Sequence, residues 1–330
     1  LKATSVASIS ATKAAVQRAV VHMTRRAMPG LVPPVAEGMG AGAAAALKKA
    51  GLDVELIPCL DDNYCSIIHQ PSSGATLVVD TPDAEPIGAA LRSKGWRPTH
   101  ILNTHHHADH VFGNLALKAE FPSLQVVGPT HRMYDYPGPY PPPGPQQEVI
   151  PGVDVEVGEG DELVFGSLTA KILEVGGHTD GHIAYFFPEV PVVLAGDCLF
   201  TMGCGRVFTG NFVKMQNSLA KLRALPDDTV VYCAHEYTTS NGKFALQVEP
   251  HNVDIEERCE HVGALRDQQL PSVPTLLVHE KATNPFLRWD APDVMAAVGL
   301  EDPVAVFTAL RKWKDTGKRP SATPPRASKL

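Results

Sequence analysis

The stretch Asn103-Thr104-His105-His106-His107-Ala108-Asp109-His110 decides the fold, because it places four imidazoles and one carboxylate within six positions. It follows directly on the apolar run of residues 100–102. A buried polar group without a partner costs roughly a few kcal/mol, so a protein core seldom contains so many titratable groups. A bound metal ion would give these groups a partner.

The spacing indicates how such a site would use the cluster. If residues 101 and 102 end a strand, alternate side chains share a face, so His105 and His107 point together and His106 points away. A helix is predicted after Ala108, with Asp109 near its N-terminus and His110 in its first turn. A histidine-rich surface loop or a single structural zinc site is the alternative, which the order of ligand types disfavours.

The stretch resembles the T-H-x-H-x-D-H signature of the metallo-β-lactamase superfamily. Three further candidate ligands, His178, Asp197 and His235, each follow a predicted strand, which is where α/β scaffolds place site residues. The resemblance implies an α/β fold, the αββα sandwich, followed here by a small C-terminal α-helical domain. It also implies a site for two metal ions. The first ion would be bound by His105, His107 and His178, the second by Asp109, His110 and His235, and Asp197 would bridge them.

Two divalent ions about 3.5–4 Å apart lower the pKa of a bridging water towards neutrality. Asp109 and Asp197 are therefore the predicted catalytic carboxylates, which would hold a metal-bridging hydroxide. The nitrogen and oxygen ligands favour zinc, with iron or manganese as alternatives. His182 is expected to support the ligands and not to bind metal. The six cysteines form no C-x-x-C pair and are expected to be reduced, non-catalytic thiols.

The composition limits the class of protein. The chain has 330 residues, of which 44% are hydrophobic and 20% charged, and this is typical of globular proteins. The net charge of −7, without a basic stripe, argues against a nucleic-acid partner. No apolar run approaches the length that spans a membrane. We expect a monomer with neither a nucleic-acid nor a membrane partner.

The two ends of the chain differ from its middle. The segment before Glu37 has five basic residues and no acidic residue, and a Gly/Ala linker follows at residues 38–46. This composition predicts a transit peptide for the mitochondrion or plastid. The alternative is a disordered tail without a targeting signal, on a cytoplasmic protein. Residues 317–330 are predicted to be a disordered tail. The Pro-rich segment 137–145 is interpreted as a stiff connector and not as an SH3 ligand.

Four further motifs resemble one branch of the superfamily, glyoxalase II, the hydroxyacylglutathione hydrolases. They are residues 196–206 (G-D-x-L-F…C-G-R), residues 235–245 (H-E-Y-T…N…F-A), residues 284–288 (N-P-F-L-R) and the R-x-x-K-D of residues 311–315. The resemblance implies a catalytic domain at residues 52–240 and a helical glutathione-binding domain at residues 241–316. It also implies hydrolysis of S-D-lactoylglutathione, a glutathione thioester, to D-lactate and glutathione, the second step of methylglyoxal detoxification.

The resemblance also suggests the substrate contacts, which are Arg206, Phe208, Tyr237, Arg311 and Lys314. Arg311 and Lys314 are three residues apart on a predicted helix and share a face, where two cations suit the glycine carboxylate of glutathione. The family often has Tyr where this chain has Phe208, so one hydroxyl contact is lost.

Two alternative functions fit parts of the sequence. A mononuclear iron persulfide dioxygenase of the same superfamily is the alternative enzyme, but it lacks the helical domain with Arg311 and Lys314. A scaffold protein without catalysis is disfavoured because all seven candidate ligands are present.

Overall fold

The computed structural model describes residues 47–130 and 149–320. Three predicted segments lie largely outside the described residues: residues 1–46 of the N-terminal extension, the Pro-rich connector, and all but the first four residues of the C-terminal tail. Leu47, which the sequence analysis placed in the extension 1–51, is buried with the side chains between the two sheets.

Two six-stranded sheets form the centre of the described structure. The first has the order β1-β2-β3-β4-β5-β6, formed by β1 (Asp53–Cys59), β2 (Asn63–Gln70), β3 (Ala75–Val79), β4 (His100–Leu102), β5 (Gln125–Pro129) and β6 (Val155–Val157). Strands β1 to β3 are antiparallel, whereas β3 to β6 run parallel.

The second sheet is mostly antiparallel, with one parallel pair at β10 and β13. Its order is β14-β13-β10-β9-β8-β7, formed by β7 (Glu162–Phe165), β8 (Leu168–Glu174), β9 (Ile183–Phe187), β10 (Val192–Gly196), β13 (Val230–Cys233) and β14 (Thr275–Leu276). A hairpin of β11 (Leu199–Phe200) and β12 (Gly203–Cys204) lies in the chain between β10 and β13.

Helices cover the outer faces of both sheets. They are α1 (Ala84–Lys94), α2 (Ala108–Val111), α3 (Asn114–Glu120), α4 (Phe212–Arg223), α5 (Thr238–Val248), α6 (Val253–Asp267), α7 (Leu277–Thr283), α8 (Pro292–Val298) and α9 (Pro303–Thr316), with a 3-10 turn at Pro285–Leu287. Because β-strands buried on both faces need no polar positions, β9 and β10 are continuous apolar runs and are buried throughout.

Three apolar layers hold these elements together. Side chains from both sheets, among them Leu102 and Tyr185, pack between the sheets. Helices α1 and α3 pack on the first sheet through Leu91 and Leu117, while α4 and the C-terminal helices pack on the second. The αββα sandwich with a C-terminal helical region is therefore confirmed.

The C-terminal helical region connects to the second sheet at two points. Helix α5 begins at Thr238, two residues before the expected end of the catalytic domain at residue 240. Strand β14 lies inside the region that resembles a helical domain, where it pairs antiparallel with β13 and extends the second sheet. A strand of two residues has no periodic pattern that sequence could reveal.

All six cysteines are free thiols, and five of them are buried. Among the described residues, every helix is too short or too polar to cross a membrane.

Candidate metal centre

Seven side chains converge at the edge of the sandwich where several strands end. His105, His107, Asp109 and His110 lie on the segment after β4, which includes the short helix α2. The other three follow strands of the second sheet, and these are His178 after β8, Asp197 after β10 and His235 after β13. The site therefore draws ligands from both sheets.

One group of donors consists of His105, His107, His178 and Asp197, whose candidate ligand atoms all lie within 4.8 Å of one another. His107 Nδ1 lies 3.0 Å from His105 Nε2 and 3.0 Å from His178 Nε2. His178 Nε2 in turn lies 3.4 Å from Asp197 Oδ2. His107 therefore faces the group with Nδ1, whereas the other two imidazoles face it with Nε2.

The second group consists of Asp109, His110 and His235. His235 Nε2 lies 3.4 Å from His110 Nε2 and 3.5 Å from Asp109 Oδ2. Asp197 Oδ1 lies 3.4 Å from His235 Nε2 and 3.5 Å from His110 Nε2. The two oxygens of Asp197 thus face different groups, and Asp197 stands between them.

A glycine allows Asp197 to come this close to the ligands of the first sheet. Gly196 has φ +49°, in the left-handed region, and a Cβ at this position would lie 2.4 Å from Thr104 Oγ1. Any larger residue would push β10 away from the segment after β4.

The outward nitrogens of the imidazoles fix the direction of their inward lone pairs. His110 Nδ1 donates to Asp80 Oδ2 at 2.8 Å, and His235 Nδ1 donates to Asp62 Oδ1 at 2.8 Å. His178 Nδ1 donates to the backbone oxygen of Arg206 at 2.8 Å. In the neutral form of these rings, the Nε2 atoms are then acceptors that face one another. Such an arrangement is repulsive unless a cation lies between the rings, so the site fits divalent metal.

The charge environment agrees with this fit. Burial lowers the pKa of His105 well below its usual range, and burial together with His178 lowers the pKa of His107 to about 4. Both rings are therefore neutral, the form that binds metal. His110 differs from these two, because the carboxylates of Asp197 and Asp80 more than offset its burial and raise its pKa well above its usual range. A metal ion would therefore displace the Nε2 proton of His110 on binding.

Three polar residues that support the ligands carry no sequence signal for this role. Asp62 and Asn63 lie in a short polar run typical of a turn, yet Asp62 accepts a hydrogen bond from His235 and Asn63 Nδ2 donates to Asp109 Oδ2 at 3.1 Å. Asp80 lies shortly before α1, but Asp83 and not Asp80 caps that helix. The buried carboxylate of Asp80 accepts hydrogen bonds from Thr104 and His110.

The two histidines that were predicted not to bind metal lie beside the groups. His182 Nε2 accepts a hydrogen bond from the backbone N–H of Asp197 at 3.2 Å, and its ring stacks on His105 at 4.6 Å between centroids. His106 belongs to neither group of candidate ligands.

A cavity of about 580 Å³ opens on the metal centre and is lined by all five residues predicted to contact substrate. Arg206 is largely exposed, and its Nε lies 3.5 Å from Asp315 Oδ1. The ring of Tyr237 stacks on His235, with 4.7 Å between centroids. The cavity therefore combines metal ligands with three cationic side chains, Arg206, Arg311 and Lys314.

Arg311 and Lys314 are less free than the sequence suggested. Arg311 is buried, and its two Nη atoms donate to the backbone oxygen of Cys204 at 2.9 Å and to Asp315 Oδ1 at 2.8 Å. Its Nε has no hydrogen-bond partner among the described residues. Lys314 Nζ donates to Asn241 Oδ1. A bidentate pairing of Arg311 with a carboxylate would require Asp315 to release the guanidinium.

Comparison with known proteins agrees with this geometry. Residues 61–235 match the metallo-beta-lactamase superfamily. Residues 236–317 match the hydroxyacylglutathione hydrolase C-terminus. The chain thus belongs to the hydroxyacylglutathione hydrolase family of that superfamily.

Curated relatives cover most of the chain. Proteins named hydroxyacylglutathione hydrolase from Methylococcus capsulatus and Rhodopseudomonas palustris are 45% and 49% identical to it over 268 and 265 residues. Each match covers 80% of this chain and 98% of the relative. Among solved structures, ETHE1 from Myxococcus xanthus has a TM-score of 0.54 at 22% identity, covering 82% of this chain and 93% of that one. The structural likeness shows the fold alone.

Proposed function

We propose that the chain is a metal-dependent thioesterase that hydrolyses S-D-lactoylglutathione, and related S-(2-hydroxyacyl)glutathiones, to the hydroxy acid and glutathione. One observation carries the proposal, namely that the two groups of His and Asp ligands open directly onto a cavity lined by three cations. A glutathione thioester has a reactive carbonyl and an anionic peptide, which suit these two features. The names of the relatives support the same activity.

The ligand set suits two divalent cations, and its nitrogen and oxygen donors favour zinc over iron or manganese. His105, His107 and His178 would hold the first ion, Asp109, His110 and His235 the second, and Asp197 would bridge them. When bound, the ions supply activation of water near neutral pH and polarisation of the thioester carbonyl.

The other residues act on the rest of the substrate. Arg206, Arg311 and Lys314 would attract the carboxylates of the glutathione peptide, and Tyr237 would contact its backbone. Phe208 would face the carbonyl end with an apolar ring. Asp109 and Asp197 would orient the ions and the water that attacks the carbonyl.

We also propose that the catalytic unit ends between His235 and Thr238, because α5 begins at Thr238. The transit peptide at residues 1–51 remains a hypothesis, with a cytoplasmic protein as the alternative, since the relatives named above are bacterial. A fusion of residues 1–51 to a fluorescent protein would test this hypothesis, because a transit peptide would carry the fluorescence into an organelle. Light scattering would test the proposed monomer.

The first experiment measures metal content together with loss of thioester absorbance on S-D-lactoylglutathione, using protein purified without chelator. We expect about two metal ions per chain and rapid hydrolysis. Arg206→Ala should raise KM about fivefold to tenfold with little change in kcat, because it removes a charge that acts on the bound peptide. Arg92→Ala is the matched control. Arg92 is an exposed arginine that also pairs with a carboxylate, but it does not line the cavity, so this variant should change neither KM nor kcat.

A different result would favour the alternative enzyme. One iron per chain, oxygen uptake with glutathione persulfide and no thioester cleavage would identify a dioxygenase and reject the proposal.

A further inference from the structure

A second cavity, of about 870 Å³, adjoins the metal centre. It shares His107, His178 and Phe208 with the cavity described above, so the two spaces meet at the candidate ligands of the first metal ion. Among the described residues that line it, none is a lysine or an arginine. The metal centre therefore has a cationic space on one side and a space without cations on the other.

One wall of this second cavity is apolar. It is formed by Val111, Phe112 and Leu115, from α2 and α3, together with Val149 and Pro151. The side chains of Phe112 and Leu115 are 79% and 59% exposed. Large apolar side chains that remain exposed side by side commonly mark a binding surface.

Phe208 lies at the boundary between the two spaces. Its ring is edge-on to two ligand imidazoles, with centroids 5.7 Å from His107 and 5.2 Å from His178. The guanidinium of Arg206 lies 5.8 Å from the centroid of the same ring. The side chain has no polar atom and is 62% exposed, so it offers an apolar surface beside the metal centre.

A buried polar atom at the junction has no partner. The hydroxyl of Thr179, next to the ligand His178, is buried and makes no hydrogen bond to any described residue. Thr179 also lines the second cavity. Because a buried hydroxyl without a partner is unfavourable, a polar atom of a ligand would be favoured there.

We propose that the second cavity binds the acyl group of glutathione thioesters whose 2-hydroxyacyl chain is longer and more apolar than lactoyl. This inference rests on the proposed function. The two substituents of a thioester carbonyl point in different directions, so with the charged peptide beside Arg206 and Lys314 the acyl chain must leave on another side. The chain would pack on Phe112, Leu115 and Phe208, and Thr179 would hydrogen-bond the 2-hydroxyl group.

The test compares kcat/KM for S-(2-hydroxyoctanoyl)glutathione with kcat/KM for S-D-lactoylglutathione in the full chain. The ratio of the two values should fall about fivefold to tenfold in Phe112→Ser and in Leu115→Ser, because each removes apolar contact with the longer chain only. Val164→Ser is the matched control, since Val164 is 71% exposed and does not line the cavity. Its ratio should equal that of the unaltered protein.

A second measurement tests the hydroxyl. Thr179→Val should reduce the preference for the 2-hydroxyoctanoyl thioester over the octanoyl thioester by about fivefold, because it removes one hydrogen bond. An unchanged preference would contradict the role of Thr179.

The proposal is overturned if the ratio is the same in both serine variants and the control. It is also overturned if these variants lower the molecular mass in light scattering without changing the ratio, since the apolar wall would then be an interface between copies of the chain. Hydrolysis of the lactoyl thioester without hydrolysis of the longer one rejects this inference alone. Failure to hydrolyse either thioester rejects the proposed function as well.

Discussion

The side-chain amide of Asn63 donates to the backbone oxygen of Asp109 at 3.2 Å and to its Oδ2 at 3.1 Å. The same nitrogen lies 3.5 Å from His235 Nε2. Asn63 is buried at the start of β2, 46 residues before Asp109 in the chain. It therefore touches two of the three side chains that would hold the second metal ion.

Asn63→Ala should weaken binding of the second metal ion about 10-fold to 100-fold, because Asp109 loses the group that fixes its orientation. We expect the metal content after dialysis against a weak chelator to fall from about two ions per chain to about one. Asn211→Ala is the control, since Asn211 caps α4 by accepting from Lys214 N, and it should keep the normal metal content. Equal metal affinity in the two variants would exclude this role for Asn63.

The pH dependence of substrate capture should reflect Lys314. Burial, and after it the charge of Arg311, lowers the pKa of Lys314 to about 8. Lys314 is thus charged below pH 8 and becomes neutral as the pH rises above it. We expect kcat/KM for the anionic thioester to fall through this range, because kcat/KM reports ionisation in the free enzyme.

Lys314→Arg provides the matched test, because arginine stays charged at every pH of interest. The fall above pH 8 should disappear in this variant when kcat/KM is measured between pH 6 and 10 on S-D-lactoylglutathione. If the two profiles coincide, another group causes the alkaline limb.

Removing the metal should destabilise the fold. His105 Nε2 and His178 Nε2 each lie 3.0 Å from His107 Nδ1. These nitrogens repel one another unless a cation lies between them. A ligand present at about 1,000 times its Kd stabilises a protein by about 4 kcal/mol, so calorimetry of chelated protein should show Tm about 10 °C lower. Added Zn²⁺ should restore Tm, whereas Mg²⁺, which prefers oxygen ligands, should not. An unchanged Tm in protein shown to be free of metal would contradict this prediction.

A buried ion pair joins the C-terminal helices to the hairpin beside the metal centre. Arg258 Nη2 donates to Glu280 Oε1, and both side chains are fully buried. Glu280 Oε2 accepts from the backbone N–H of Met202 at 2.8 Å and from Asn284 Nδ2 at 3.0 Å. Glu280→Ala should lower the free energy of unfolding by about 3–5 kcal/mol, because it leaves the charge of Arg258 uncompensated.

Urea unfolding would measure this loss against Glu120→Ala. Glu120 pairs with Arg92 on the surface at 2.6 Å, where loss of a partner costs about 0–1 kcal/mol. Similar losses in the two variants would show that the buried pair contributes no more than a surface one.

The seven side chains that converge in the structure are the seven that the sequence offers as candidate ligands. They can be found because residue type and position after a strand are local features of the sequence. His105, His107, Asp109 and His110 lie within six residues, and His178, Asp197 and His235 each follow an apolar strand. Residue type and strand position are enough to propose such a set. The structure adds which atom faces the group, as with Nδ1 of His107, which spacing cannot give.

The supporting residues were not predictable in this way. Asp62 and Asn63 have the composition of any turn, and only the fold brings them to His235 and Asp109. Asp80 adopts φ +54°, and its carboxylate accepts from Thr104 and His110, a role that its position shortly before α1 does not indicate. Such contacts join residues that are far apart in the chain and leave no periodic pattern.

The order of the ligands along the chain has a consequence for synthesis. Each metal-binding group needs residues from both sheets, and His235, the last ligand, follows β13. The cationic side of the cavity needs α9, which ends at Thr316. During synthesis on the ribosome, the set of candidate metal ligands is therefore complete only once His235 has emerged, and the cationic side of the cavity is complete only once α9 has joined the fold.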